Sequence, residues 1–357
     1  MKKILTIIGA RPQFIKSAML SRAFDEMKGC DEVLLHTGQH YDYNMSQLFF
    51  DEMDLKVPNH ELGIGSLPVE QMIGRMIEGI TKVAKSESPD LMLVYGDTNS
   101  TLAGALTASF ANIPLAHVEA GLRSYNLKMP EERNRVITDQ LSSLLFCPTK
   151  QAVDNLLKES ANLSAATIHQ TGDVMLDCAL HYGKKSVQLP DSLKEITSQN
   201  FILFTLHRAE NTDDSDRLKS IVSAMNEIHK STTVVWPMHP RTLKALENSK
   251  VNANVKVVDP LGYLEMLDLI KRSSLVMTDS GGLQKEAFFF QKPCVTLRNV
   301  TEWNELVDCG ANLLAGNEIA DLQKMVAKMM GSKIGFENSF YGNGNAALKI
   351  AEIIEHL

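Results

Sequence analysis

Cysteine is scarce in this chain of 357 residues. The five, Cys30, Cys147, Cys178, Cys294 and Cys309, are scattered, odd in number and never spaced as CxxC. That excludes a disulfide framework and a cysteine-built zinc site, and fits a reducing, cytoplasmic setting. Basic tracts are also missing. The formal net charge is −7, which argues against a nucleic-acid partner but leaves room for a local basic cleft that holds a small anion. No apolar run approaches the ~20 residues needed to span a bilayer. The opening MKKILTIIGARP resembles a signal peptide only superficially, because Gly9-Ala10-Arg11-Pro12 ends its apolar run after six residues; the stretch reads better as a first strand. A Walker A sequence is lacking. The one G-x-G-x-x-A match, Gly342–Ala347, follows a polar loop and not a strand, so it does not mark dinucleotide binding.

What the chain does have is a repeated unit: an apolar run, then a polar strand end, then a helix. The length suggests two domains. Lys3–Ile8, Glu32–His36, Leu91–Tyr95 and Ile113–Ala116 read as buried parallel strands, and a helix follows the first from about Phe14. A Met-rich amphipathic helix is expected over Val69–Ser86, and a small-residue helix over Thr101–Ala111. Polar Tyr41–Gln47 leads into an apolar Leu48–Met53. A boundary is expected within Ser160–Asp177, with domains of 1–170 and 171–357. A second α/β series follows: strands Phe201–Thr205, Thr233–Trp236, Val255–Val258, Leu275–Met277 and, last, Pro293–Leu297, with helices Asp216–His229, Leu264–Arg272 and Leu283–Phe290 between them. A final helix spans about Ala346–Leu357. The fold class is therefore α/β, with two Rossmann-like domains facing across a cleft.

The chemistry-bearing residues gather at strand ends. The segment His117–Arg135 puts Glu119 just past a strand and Glu131 in the first turn of a helix opened by Pro130. Arg11 and Lys16 lie where the first strand hands over to its helix, and Asp97 sits at another strand end. Polar groups at such ends converge on one crevice of a doubly wound sheet. Two carboxylates in unlike surroundings suit general acid/base work. Plainer readings compete: Asp97 as a helix N-cap, and Glu131 as a first-turn acid paired with Arg135 one turn on. In the second half, Ser280-Gly281-Gly282 after an apolar strand is a phosphate cradle by physical logic, or simply a tight turn. Glu286, six residues past Ser280, is placed to accept ribose hydroxyls, or is a solvated helix residue.

The blocks GARPQFIK, YGDTNSTLAG, HVEAGLRS, PEERNR, TLHRAEN and TDSGGLQKEA, in this order, resemble those of the non-hydrolysing UDP-N-acetylglucosamine 2-epimerase family over essentially the whole chain. The resemblance implies a GT-B-type fold whose C-terminal helix returns to the first domain. It implies an isomerase that takes a UDP-sugar and UDP, with no metal or redox cofactor, working in the cytoplasm as a homodimer on surface-polysaccharide precursors. In that mechanism UDP is eliminated across C1–C2 to a 2-acetamidoglucal and added back after protonation of C2 from the other face. By resemblance Asp97, Glu119 and Glu131 form the acid/base set and His207 assists at the diphosphate. Arg11, Lys16, Arg135, Ser280, Gly281 and Gly282 match phosphate-contacting positions, Glu286 the ribose position, and His239 a nucleotide or cleft contact.

Departures from the family pattern are informative. GARPQ stands for the usual GTRPE, Asn126–Met129 for a Ser-Pro-Trp segment, and Thr301-Glu302-Trp303-Asn304-Glu305 for TERPE. Met266 replaces a phenylalanine often near uracil. His36–Asp42 with Asn44-Met45-Ser46 differs as well. These variants resemble the subgroup acting on UDP-2,3-diacetamido-2,3-dideoxyglucuronic acid. The competing classes are a GT-B glycosyltransferase, which needs fewer acids at C2, and a non-catalytic sugar-nucleotide sensor, which would tolerate loss of a catalytic carboxylate.

Overall fold

The structure, a computed structural model, describes residues 1–39, 53–159, 166–316, 318–332, 334–336 and 339–357. The expected Leu48–Met53 segment, up to residue 52, and the motif residues His40, Tyr41, Asp42, Asn44, Met45 and Ser46 lie outside them. The chain divides into two compact units, Met1–Tyr182 with Ser339–Leu357, and Gly183–Asn338.

The first unit runs β1 (Lys2–Ile8), α1 (Arg11–Met27), β2 (Cys30–His36), β3 (His60–Glu61), α2 (Val69–Glu87), β4 (Leu91–Tyr95), α3 (Asn99–Ala111), β5 (Leu115–Val118), α4 (Pro130–Leu141), β6 (Leu144–Cys147), α5 (Lys150–Lys158), β7 (Thr167–Gln170) and α6 (Val174–Tyr182). Its sheet is ordered β3-β2-β1-β4-β5-β6-β7, every pair parallel. The strands read as unbroken apolar runs because both faces are covered. One face packs α1 and the C-terminal helix through Phe14, Leu20, Phe24, Ile350 and Ile354. The other packs α2 and α3 through Met76, Ile80, Ala103 and Ala108.

The second unit runs α7 (Asp191–Ile196), β8 (Phe201–Thr205), α8 (Ala209–Thr212), α9 (Ser215–His229), β9 (Thr233–Pro237), α10 (Pro240–Ser249), β10 (Lys256–Val258), α11 (Tyr263–Arg272), β11 (Leu275–Thr278), α12 (Gly281–Phe289), β12 (Cys294–Thr296), α13 (Asn304–Asp308), β13 (Asn312–Leu314) and α14 (Leu322–Gly331). Its six strands, again all parallel, are ordered β10-β9-β8-β11-β12-β13. In both sheets the strand order reverses once, between β1 and β4 and between β8 and β11. Those are the switch points beside which open α/β sheets hold ligands.

Several expectations shift. The chain crosses between the units after Tyr182, not at residue 170, because α6 packs on α1 and the Asp173 N–H donates to Tyr341 O at 2.9 Å. α1 starts at Arg11, three residues early: Gln13 Oε1 accepts from the Gly9 and Ala10 N–H groups at 2.8 and 3.1 Å and closes the helix N-terminus from inside. β5 is displaced to Leu115–Val118, which puts His117 within the strand. The apolar spacing of Ile137, Leu141, Leu144 and Leu145 reads as one helix face, but α4 ends at Leu141, and Leu144 and Leu145 belong to β6. Pro293–Leu297 is not the last strand, since β13 pairs beyond it. α15 (Ala346–Glu355) returns to the first unit and packs on α1.

Candidate active site

In the first unit, polar groups collect past the ends of β1, β4 and β5, which are sheet neighbours. Thr98, not Asp97, caps α3, with its hydroxyl accepting from the Thr101 N–H at 3.2 Å. That frees the Asp97 carboxylate to meet Arg135 Nη2 at 2.5 Å. Asn134 Nδ2 steadies the turn by donating to Asp97 O at 2.9 Å.

Glu119 adopts a left-handed backbone, φ 70°, directly after β5. Its N–H reaches Phe146 O on the next strand at 3.1 Å, and its buried carboxylate pairs with Lys16 Nζ from α1. Gly96, at φ 61°, is packed against this pair. A Cβ there would fall 3.0 Å from Lys16 Nζ and 3.2 Å from Glu119 Oε2, so the Asp97 turn abuts Glu119 only because position 96 has no side chain.

Pro130 opens α4, as the sequence indicates. The Glu131–Arg135 pair of the plainer reading does not form. Arg135 Nη1 instead binds Glu132 Oε2 at 2.9 Å, and Glu132, buried, also accepts from the Ser124 and Tyr125 N–H groups and the Ser124 hydroxyl. Glu132 is therefore the structural acid of the pair. Glu131, half-buried, makes no hydrogen bond or ion pair to the described residues. Arg11, also half-buried, stands at the start of α1.

Sequence reasoning passed over the layer beneath. His117 is fully buried; its Nε2 donates to Gly96 O at 2.7 Å and its Nδ1 lies 2.7 Å from Asp139 Oδ1. Burial alone would push the Asp139 carboxyl up, but His117 and Arg123 overcome it and hold the pKa below the ordinary value. The Arg123 pKa is raised: burial works against its charge, and Glu159 and Asp139 outweigh burial. Gln13 is a second such residue: its Nε2 donates to Tyr95 O and Thr101 Oγ1, both at 3.0 Å, tying α1 to the end of β4.

In the second unit, the sequence-derived residues flank the ends of β8, β9 and β11. Asp279, fully buried, accepts from the His207 and Arg208 N–H groups and from Asn211 Nδ2. His207 Nδ1 lies 3.2 Å from its other oxygen. Asp279 thus shapes the turn that presents His207, a role only its place in the TDSGG block hinted at. His239, exposed, caps α10 by accepting from the Arg241 N–H, and its ring lies 5.6 Å from that of His207. Ser280 is the N-cap position of α12, with Gly281 and Gly282 in its first turn, partly exposed. Such an N-terminus carries free N–H donors and partial positive charge. Glu286 lies one turn on, 3 % exposed, so it is not a solvated helix residue.

The family model for UDP-N-acetylglucosamine 2-epimerase matches residues 22–355. A Pseudomonas aeruginosa protein named UDP-2,3-diacetamido-2,3-dideoxy-D-glucuronate 2-epimerase is 51% identical over 99% of this chain and 100% of its own. A Methanococcus maripaludis UDP-N-acetylglucosamine 2-epimerase is 43% identical over 99% and 98%. The crystal structure of the Methanocaldococcus jannaschii UDP-GlcNAc 2-epimerase in complex with UDP-GlcNAc and UDP superposes with a TM-score of 0.90 at 40% identity, covering 99% of this chain and all of that one. No helix among the described residues is long and apolar enough to cross a membrane. The chain belongs to the UDP-N-acetylglucosamine 2-epimerase family, isomerases of nucleotide sugars with two parallel-sheet α/β domains.

Proposed function

We propose that this protein inverts C2 of UDP-2,3-diacetamido-2,3-dideoxyglucuronate by eliminating and re-adding UDP. The observation that carries the reaction is three carboxylates in three electrostatic settings on the first unit: Asp97 against Arg135, Glu119 against Lys16, and Glu131 with neither. One carboxylate takes the C2 proton as the C1–O bond breaks and its electron pair leaves with UDP. Another delivers a proton to the opposite face of the enol-ether carbon, and a diphosphate oxygen re-attacks C1. Unlike settings suit that division of labour. Arg11, Lys16 and Arg135 are the cations for the departing diphosphate. In the second unit, Ser280, Gly281 and Gly282 supply helix-terminal donors for phosphate, Glu286 takes the ribose hydroxyls, and His207 and His239 line the nucleotide. The substrate assignment rests on the 51% identical relative and on the departures at Asn126–Met129 and Thr301–Glu305, which resemble the subgroup acting on that sugar.

The test is incubation in D2O with a panel of UDP-sugars and no acceptor. Deuterium should enter C2 of the diacetamido-glucuronate faster than C2 of UDP-GlcNAc. The reverse ranking would move the substrate to UDP-GlcNAc, as the archaeal relatives are named. Exchange in none of them would sink the epimerase reading in favour of a glycosyltransferase or a sensor. The reading also carries a cytoplasmic homodimer; light scattering should give twice the chain mass.

A further inference from the structure

Backbone pairing between β4 and β5 ends at Tyr95 and Val118, with one more bond from the Gly96 N–H to Val118 O at 2.9 Å. Past that point the two catalytic turns are joined by the side chain of His117. Its Nε2–H reaches the Gly96 carbonyl, an acceptor only. Its Nδ1 faces Asp139, whose second oxygen is already held by Arg123 Nη1 at 2.7 Å and the Gly121 N–H at 3.2 Å. Arg123 is clamped in turn by Glu159 at 2.9 and 2.7 Å. The carbonyl makes Nε2 the donor there, and partners at both nitrogens hold the ring in one orientation. The peptide it grips precedes Asp97 and lies against Glu119 Oε2.

We propose that His117 is a positioning residue which, through the Gly96 carbonyl, sets the distance between the Asp97 and Glu119 carboxylates, with Asp139 and Arg123 fixing the ring. The proposal rests on the epimerase reading above. Misplacing a catalytic group by about 1 Å can cost ~10²-fold in rate.

Two near-isosteric variants separate the two bonds. His117→Gln puts an amide nitrogen where Nε2 stood and can keep the Gly96 bond. His117→Asn puts one where Nδ1 stood and can keep only the Asp139 bond. Steady-state kinetics on the substrate turned over by the wild type should show kcat down ~10²-fold in the Asn variant with KM moved by less than about threefold, and kcat restored to within about fivefold in the Gln variant. A purely structural role would lower melting temperature in both without that split. Equal losses in the two variants, or full kcat in the Asn variant, would overturn the proposal. If neither variant folds, 15N NMR of the histidine-labelled wild type decides, since Nε2 must carry the proton that it donates to the Gly96 carbonyl; a bare Nε2 overturns it. A wild type that exchanges no C2 deuterium fells the epimerase reading itself, whereas exchange in the wild type with an unaffected Asn variant fells only the role of His117.

Discussion

Glu119 occupies a backbone conformation that costs a non-glycine residue about 1–2 kcal/mol. Directly after β5, that turn carries its carboxylate paired with Lys16, beside Gly96. Glu131 and Glu132 show the converse: adjacent acids, one collecting four donors and one with none among the described residues. Removing a general acid or base typically costs ~10²–10⁴-fold. Asp97→Asn, Glu119→Gln and Glu131→Gln should each lose at least ~10²-fold in kcat while UDP binding by calorimetry stays within a few-fold. Glu132→Gln should instead lower the melting temperature, because it weakens a buried acceptor shared by Arg135 and two backbone N–H groups. In the second unit, Glu286→Ala should weaken UDP binding on the order of tenfold or more, the loss of charge-assisted hydrogen bonds worth ~1.5–3 kcal/mol; unchanged calorimetric affinity would remove it from the nucleotide site. The candidate residues were legible because strand-end acids and glycine turns leave marks in the sequence. Their supports were not. Asp139 is 22 residues from His117 and Asp279 is 72 from His207, and no local pattern encodes which distant donor completes a buried carboxylate.

Helix α15 has no side-chain N-cap of its own. Its terminal Ala347 N–H is satisfied from 170 residues away by Asp177 Oδ2 on α6, at 2.8 Å. The other oxygen, Oδ1, is buried without a hydrogen-bond partner among the described residues. Burial, partly offset by the Ala346 and Ala347 N–H groups, pushes the Asp177 pKa up to about 6 from 3.8. A carboxyl with a raised folded-state pKa holds its proton more tightly in the native state than in the unfolded one. Stability therefore falls as pH rises from about 4 through about 6, by on the order of 2–3 kcal/mol once both states are ionised. Asp177→Asn keeps an oxygen for the Ala347 N–H and removes the charge. Its melting temperature should exceed that of the wild type by a margin that grows between pH 4.5 and pH 7; a constant margin would show that Asp177 is ionised without penalty. At this scale the apolar strands and the amphipathic helices were legible from periodicity. The short or polar edge strands β3, β7 and β13 were not, since two to four residues carry too little pattern.

Over the whole molecule the chain builds one sheet, crosses to build the next, and returns with nineteen residues that complete the first core. Ile350, Ala351 and Ile354 of α15 are fully buried with Phe14, Leu20 and Phe24 of α1. The segment's sequence neighbours thus belong to the second unit, but its stabilising burial belongs to the first. The final helix was readable from its apolar spacing; the residues at which the chain crosses were not, because a crossing depends on which core each helix completes. Truncating a well-packed isoleucine to alanine typically costs ~2–5 kcal/mol, so Ile350→Ala should act on the first unit. A convenient asymmetry makes that measurable: the only two tryptophans, Trp236 and Trp303, both lie in the second unit. On heating the Ile350→Ala variant, far-UV circular dichroism, which sees both units, should show a new transition at lower temperature. Tryptophan fluorescence should keep its wild-type midpoint. A fluorescence midpoint that falls in step with the dichroism would show that losing the first core also unfolds the second, and that burial confined to each unit does not describe its stability.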